Sequence, residues 1–146
     1  MTTIAYDGKI LAADTQATSS YIDQDHYQKF YEVNGEIVAG TGDIASIYAW
    51  LDWYTAGADP ELFPKPLDDS LAILVIDRKT GKHRMHCHHL AYPGTPWRKK
   101  AIAVGTGQDF AMGALLAGAT APEAVKIAMK LDPCSGGQVR TIEVKT

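Results

Sequence analysis

Through the first forty residues the apolar positions come in short runs broken by turn dipeptides. Residues 3–6 and 9–13 flank Asp7-Gly8, and residues 29–33 and 36–40 flank Asn34-Gly35. Both dipeptides accept the positive φ of a tight turn, so each pair of runs predicts a β-hairpin. The period then changes. Ile44, Ile47, Leu51 and Tyr54 recur at helical spacing, which predicts a helix over 43–54, capped by Asp43 and stopped by Gly57. Pro60, Pro64 and Pro66 exclude a regular helix from the next segment. Residues 71–77 read as a continuous apolar strand, 79–82 as a turn and 83–90 as a second strand. A loop with Pro93, Gly94 and Pro96 leads to a strand over 101–104. Helices follow over 108–117 and 121–131, with Thr120 and Glu123 spaced as a capping box for the second. The alternating segment 138–144 closes the chain as a strand.

Strands that pair locally as hairpins indicate antiparallel sheets, and apolar helices on both sides of the second strand group call for two helical layers. The expected class is α+β, a shortened four-layer αββα sandwich of two antiparallel sheets, in a single domain over residues 1–146. A chain of 146 residues that is 46% hydrophobic is long enough to bury a core. With 14 basic against 17 acidic residues and no basic stripe, nucleic acid is not an expected partner. No apolar run approaches the roughly 18 residues of a membrane span, and the start lacks the pattern of a signal peptide. Two cysteines, Cys87 and Cys134, are too few for a disulfide framework. Together these predict a cytoplasmic protein with no membrane partner.

The chain starts Met1-Thr2-Thr3. A small residue in second place favours removal of Met1, which would leave Thr2 with a hydroxyl and an α-amine on one residue. That amine, with an ordinary pKa near 8, is able to act as base for its own hydroxyl. Such a nucleophile needs a nearby cation, an acid to hold the cation, and a backbone N–H for the developing oxyanion. Asp14 ends the second strand and Lys29 opens the third. The loop Gly40-Thr41-Gly42-Asp43 runs straight into a helix start, which suits an anion. Taken singly, Asp14 and Lys29 also read as a surface ion pair, and the glycines as a plain strand-to-helix turn.

Taken together they resemble one family. Thr2-Thr3-Ile4, followed by Gly8-Lys9-Ile10-Leu11-Ala12-Ala13-Asp14-Thr15-Gln16-Ala17-Thr18, is similar to the opening of proteasome β subunits and the bacterial HslV peptidases, which are amino-terminal nucleophile hydrolases. Lys29 and the strand and loop Ile37-Val38-Ala39-Gly40-Thr41-Gly42 fall where that family carries its lysine and oxyanion glycine. Val104-Gly105-Thr106-Gly107 resembles its Gly-Ser-Gly turn, and Asp132-Pro133-Cys134-Ser135-Gly136-Gly137 its Asp-x-x-Ser-Gly-Gly motif. The resemblance implies a threonine-type endopeptidase that needs no cofactor or metal. Its catalytic residues would be Thr2, Asp14, Lys29, Gly42, Asp132 and Ser135. Thr106 and Gly136 would support them, and Thr18, Gly40 and Ile44 would bind substrate. Gly40 would leave a roomy, apolar pocket for the residue before the cleaved bond. The implied partners are a peptide or unfolded-protein substrate, further copies of the chain, and an unfoldase ATPase as a candidate. Gln16 resembles HslV, whereas Asp132–Gly137 resembles proteasomes. One helix stands where the family has two after the oxyanion loop. A small-molecule amidase of the same fold, or a non-catalytic homologue retaining Met1, are the alternatives.

Three features lie outside that reading. His83-Arg84-Met85-His86-Cys87-His88-His89 suggests a metal, but strand alternation puts His83, Cys87 and His89 on one face and His86 and His88 on the other. An exposed strand is the expected reading. Cys134, with no histidine partner in view, reads as a buried small residue. Trp50, Trp53 and Tyr54 read either as core or as a contact between subunits. In the second case they would join the helix to a homo-oligomer.

Overall fold

The computed structural model describes residues 2–18, 21–23, 27–89 and 100–145. In chain order its elements begin with strands β1 (Thr3–Tyr6), β2 (Ile10–Asp14), β3 (Ala17–Thr18), β4 (Ile22–Asp23), β5 (Phe30–Val33) and β6 (Glu36–Thr41). Helix α1 (Ile44–Thr55) comes next, then β7 (Ala72–Asp77), β8 (His83–Cys87), β9 (Ile102–Gly105), α2 (Gln108–Leu116), α3 (Ala121–Leu131) and β10 (Val139–Glu143).

The two hairpin turns set the registers. Asp7 Oδ1 accepts from the Lys9 and Ile10 amides at 2.9 and 2.8 Å, and Gly8 takes φ +98°. Opposite the second turn, Asn34 and Gly35 both have positive φ, 51° and 80°, as a type I′ turn requires. The first turn places Ile4 across from Ala13 and Tyr6 across from Leu11. All four side chains therefore share one face, while Ala5 and Ala12 share the other. The first sheet runs β10-β2-β1-β9 and the second β5-β6-β7-β8, with β3-β4 as a separate short hairpin.

The two sheets pack face to face through Ile4, Tyr6 and Leu11 on one side and Ile37, Leu74 and Ile76 on the other. Each of these fully buried side chains contributes about 1.5–3 kcal/mol by leaving water. Helix α1 covers the outer face of the second sheet, with Ile47, Trp50 and Leu51 against Val38, Ile73 and Val75. Helices α2 and α3 cover the first through small residues, Ala111, Ala121, Ala124 and Ala128 against Ala5, Ala12 and Ala103. The expected αββα sandwich is thus the architecture. Thr120 and Glu123 do form a capping box, and the Ala121 amide also donates to Asp7 Oδ2 at 2.9 Å, tying α3 to the first hairpin.

Some expectations need correcting. The proline-rich segment forms no regular helix, as its prolines require, but it does make one 3₁₀ turn at Pro60–Leu62, with Asp59 as its cap. Hairpin β3-β4, two residues to a strand, was too short to show a period. The strand expected over 83–90 ends at Cys87; Leu90 and the loop of Pro93, Gly94 and Pro96 lie outside the described residues. Nor is that strand exposed. His83 meets Tyr6 edge-on at 5.8 Å on the inner face, and His86 meets Trp50 at 5.0 Å under α1. Both histidines are buried because the sandwich covers both faces of β8. Trp50 and Trp53 are core, with Trp53 Nε1 donating to Asp59 O at 2.7 Å. Cys134 is half-buried.

Candidate active site

The start of β1, the end of β2 and the start of β5 converge at one end of the sandwich. Asp14 is the hub. Its Oδ1 accepts from the Thr3 amide at 3.0 Å, from Thr2 Oγ1 at 3.2 Å and from Lys29 Nζ at 2.7 Å. Its Oδ2 accepts from the Gly136 amide at 3.0 Å. The Asp14 and Lys29 side chains are nearly inaccessible to water, 0% and 3% exposed, so this is no surface ion pair. Burial holds the Lys29 ammonium below its ordinary range, against the opposing pull of Asp14 and, after it, Asp132. Lys29 Nζ also donates to Gln16 O at 2.6 Å. Losing either partner of so buried a pair typically costs about 3–5 kcal/mol.

A second network reaches Thr2 from the other side. Thr2 N lies 3.3 Å from Thr106 Oγ1, and the Thr106 hydroxyl donates to Asp132 Oδ2 at 2.6 Å. Ser135 Oγ donates to the same oxygen at 2.6 Å and lies 2.7 Å from Thr3 Oγ1. Burial alone would raise the Asp132 pKa. Hydrogen bonds from Ser135, Thr106 and the Cys134 amide outweigh it and hold the carboxyl below its ordinary range. Thr2 itself is only 3% exposed.

The turn that carries Thr106 has no room for side chains beside it. A Cβ on Gly105 would stand 2.0 Å from Thr2 O, and one on Gly107 would stand 1.9 Å from Thr3 Oγ1. At Gly42, φ is +109° and a Cβ would meet Ser70 O at 2.8 Å, so both conformation and space require glycine there. Gly42 borders two openings. A cavity of about 160 Å³ is lined by Thr2, Tyr27, Lys29, Gly40, Ile44 and Ile47 among others. A wider cleft of about 660 Å³ runs past Thr18, Asp43, Asp68, Ser70 and Thr106.

Every candidate catalytic, supporting and substrate-binding residue named from the sequence is therefore at or beside this end of the sandwich. Thr106, read as a support, is the side chain in contact with Thr2 N. Gly40 borders the smaller cavity, yet the space a side chain would take is filled by Ile47, whose Cγ2 lies 3.0 Å from the position of an added Cβ. Sequence reasoning missed Ile47 as a lining residue, although it sits three positions after Ile44. Gln16, noted only for its likeness to HslV, has a positioning contact as well: its Nε2 joins Thr18 Oγ1 to Pro133 O at 3.1 Å each. Thr3, Tyr27, Asp68 and Ser70 carried no signal. Among the described residues, no group of three or more His, Cys, Asp or Glu side chains is placed to hold a metal ion. No described helix is long and apolar enough to cross a membrane.

Two antiparallel sheets lie between helical layers, with β2 and β1 at the centre of the first sheet, and solved structures share this four-layer αββα fold. The chain is similar in fold to solved HslV and BPH structures. It superposes on eukaryotic HslV from Trypanosoma brucei with a TM-score of 0.69 at 18% identity, over 97% of this chain and 99% of that one. Thiobacillus denitrificans BPH in complex with epoxomicin gives 0.70 at 18% identity, over 98% and 97%. A further structure of Thiobacillus denitrificans BPH gives 0.67 at 20%, over 97% and 96%. No family model and no curated protein matches the sequence.

Proposed function

We propose that the chain is a proteasome-like threonine peptidase that hydrolyses peptide bonds with Thr2 once Met1 has been removed. The observation that carries this reading is the convergence of Thr2 Oγ1 and Lys29 Nζ on one buried oxygen of Asp14. Thr2 Oγ attacks the substrate carbonyl and its proton passes to the neutral α-amine. The resulting oxyanion is received by the Gly42 N–H and sits within the field of Lys29. The C–N bond breaks, the amine's proton goes to the leaving nitrogen, and an ester to Thr2 remains. Water, deprotonated by the same amine, then cleaves the ester and restores the hydroxyl. Asp132, held ionised by Thr106 and Ser135, stabilises the ammonium that forms between these transfers.

In this reading Thr18 binds the substrate backbone, and the cavity edged by Gly40 and Ile44 takes the side chain before the cleaved bond. The presence of Ile47 makes that cavity compact, so small and medium apolar side chains fit it better than large aromatic ones. The enzyme acts in the cytoplasm, as a homo-oligomer. Intact mass of protein from its native host should show the loss of one methionine. Fluorogenic peptide hydrolysis should be abolished by Thr2→Ala, with the circular dichroism spectrum unchanged. Full activity in that variant would sink the mechanism.

A further inference from the structure

We infer that Ser46 is a positioning residue for the Gly42 amide, fastening the oxyanion loop to the turn 68–71. The inference deepens the proposed function and rests on Gly42 N–H as the oxyanion donor.

Gly42 has no side chain to anchor it. Its orientation has to come from Thr41, the last residue of β6, and from Asp43, the cap of α1. Thr41 is held by pairing with Ala72. Asp43 is held by Ser46: Oδ2 accepts from the Ser46 amide at 2.9 Å and from Ser46 Oγ at 3.0 Å. The same Oγ accepts from the Asp68 amide at 3.0 Å. One hydroxyl thus joins the helix cap to a turn from a distant part of the chain. The turn is itself closed, by Leu71 N to Asp68 O at 3.0 Å, by Ser70 N to Asp68 Oδ1 at 2.9 Å and by the Ser70 hydroxyl to the same oxygen. It also presses on Gly42, since Ser70 O occupies the space where a Cβ would lie. The cap, the turn and the glycine therefore form one clamp with Ser46 Oγ at its centre. Ser46 is buried, so water does not readily replace either bond.

An oxyanion donor acts only if its N–H is aimed before the charge develops. Removing such a donor outright costs on the order of 10²–10³ in kcat. Loosening it costs part of that. Ser46→Ala is expected to lower kcat about tenfold and leave KM within about twofold, because substrate binding does not use the aim of this N–H. A peptide boronate, which forms a tetrahedral adduct on the hydroxyl, should lose affinity by the same factor as kcat. Ser46→Thr keeps both bonds and should restore both values. Ser46→Cys keeps the volume, weakens the bonds and should fall between; it also serves if Ser46→Ala does not fold.

A readout without catalysis separates this inference from the proposed function. In ¹⁵N relaxation on the intact protein, the Gly42 order parameter should sit near that of rigid backbone, about 0.85. It should drop toward about 0.6 in Ser46→Ala and return in Ser46→Thr, with β7 unchanged. An unchanged Gly42 order parameter in Ser46→Ala overturns the role of Ser46, whether or not peptidase activity is found. A wild-type protein that cleaves no peptide while Gly42 loosens in Ser46→Ala would sink the peptidase reading and keep the clamp.

Discussion

Replacing Thr106 with valine preserves a β-branched side chain of nearly the same shape and removes one oxygen. That oxygen links Thr2 N to Asp132. Under the proposed mechanism Thr106→Val should lower kcat by about 10²-fold, the usual scale of a lost proton-handling group. Thr106→Ser should retain most of the activity, and equal rates for all three proteins would exclude the link. Ile47 gives a prediction of the opposite kind. Truncating it to alanine empties the space beside Gly40, so a peptide library should show hydrolysis shifting toward large aromatic side chains before the cleaved bond. The same change leaves a cavity under α1 and should destabilise the fold by about 2–4 kcal/mol in urea titration. A preference unchanged in Ile47→Ala would place the specificity pocket elsewhere. Part of this was legible in the chain. Asp14, Lys29, Gly42 and Asp132 stand out through the family pattern. The filling of Gly40's space did not, because it depends on how closely α1 lies on β6, which no periodicity reports.

At the scale of elements, β8 carries a pH dependence. His86 packs edge-on against the stacked rings of Trp50 and Tyr54, with Arg84 on its own strand and Glu36 on β6 nearby. Burial, then Arg84, bring its pKa down to about 4, against the pull of Glu36. Burial also lowers that of His83. In the unfolded chain both titrate near 6.5, so between pH 6.5 and 4 the unfolded state binds protons that the folded state refuses. The stability contributed by neutral His86 is complete above pH 6.5 and falls with acidification, by about 2 kcal/mol at pH 5. Urea midpoints at pH 7 and pH 5 measure this, and the difference should shrink in His86→Leu. An identical difference in the variant would assign the acid sensitivity to other groups. The sequence pattern led to an exposed strand here because β8 alternates histidine with polar and sulfur side chains. What buries it is tertiary: an edge strand with Tyr6 on one face and α1 on the other. Turns were easier to read. Asp7-Gly8 and Asn34-Gly35 act through backbone conformation, which is local and needs no knowledge of what packs where.

For the whole molecule, the prediction concerns assembly. The aromatic cluster of α1 is committed to its own core, so it does not supply a subunit contact. Of the large apolar side chains on α1, Ile44 and Tyr48 are exposed, at 40% and 47%, and since Ile44 lines the smaller cavity, Tyr48 is the outward one. Under the proposed function, sedimentation velocity at micromolar concentration is expected to show a homo-oligomer, because an unenclosed threonine protease would attack its neighbours. Tyr48→Glu should weaken the assembly while leaving circular dichroism unchanged. A wild-type monomer of about 16 kDa would reject the oligomer and favour the amidase alternative.

The grip on Thr2 has a consequence for how activity switches on. Thr2 O accepts from Gly107 N at 3.4 Å, and the next amide, Thr3 N, donates to Asp14 at 3.0 Å. Both of these anchors lie on the downstream side of the Thr2 α-carbon, while Thr2 N keeps its own contact with Thr106 Oγ1. Cutting the bond ahead of Thr2 therefore exposes a base without disturbing the nucleophile. Zymogens of the kind that refold around a new terminus must wait for a loop to move. Under the proposed mechanism, maturation at Thr2 would be a chemical unmasking, and turnover should begin at the rate of the cleavage itself, with no lag.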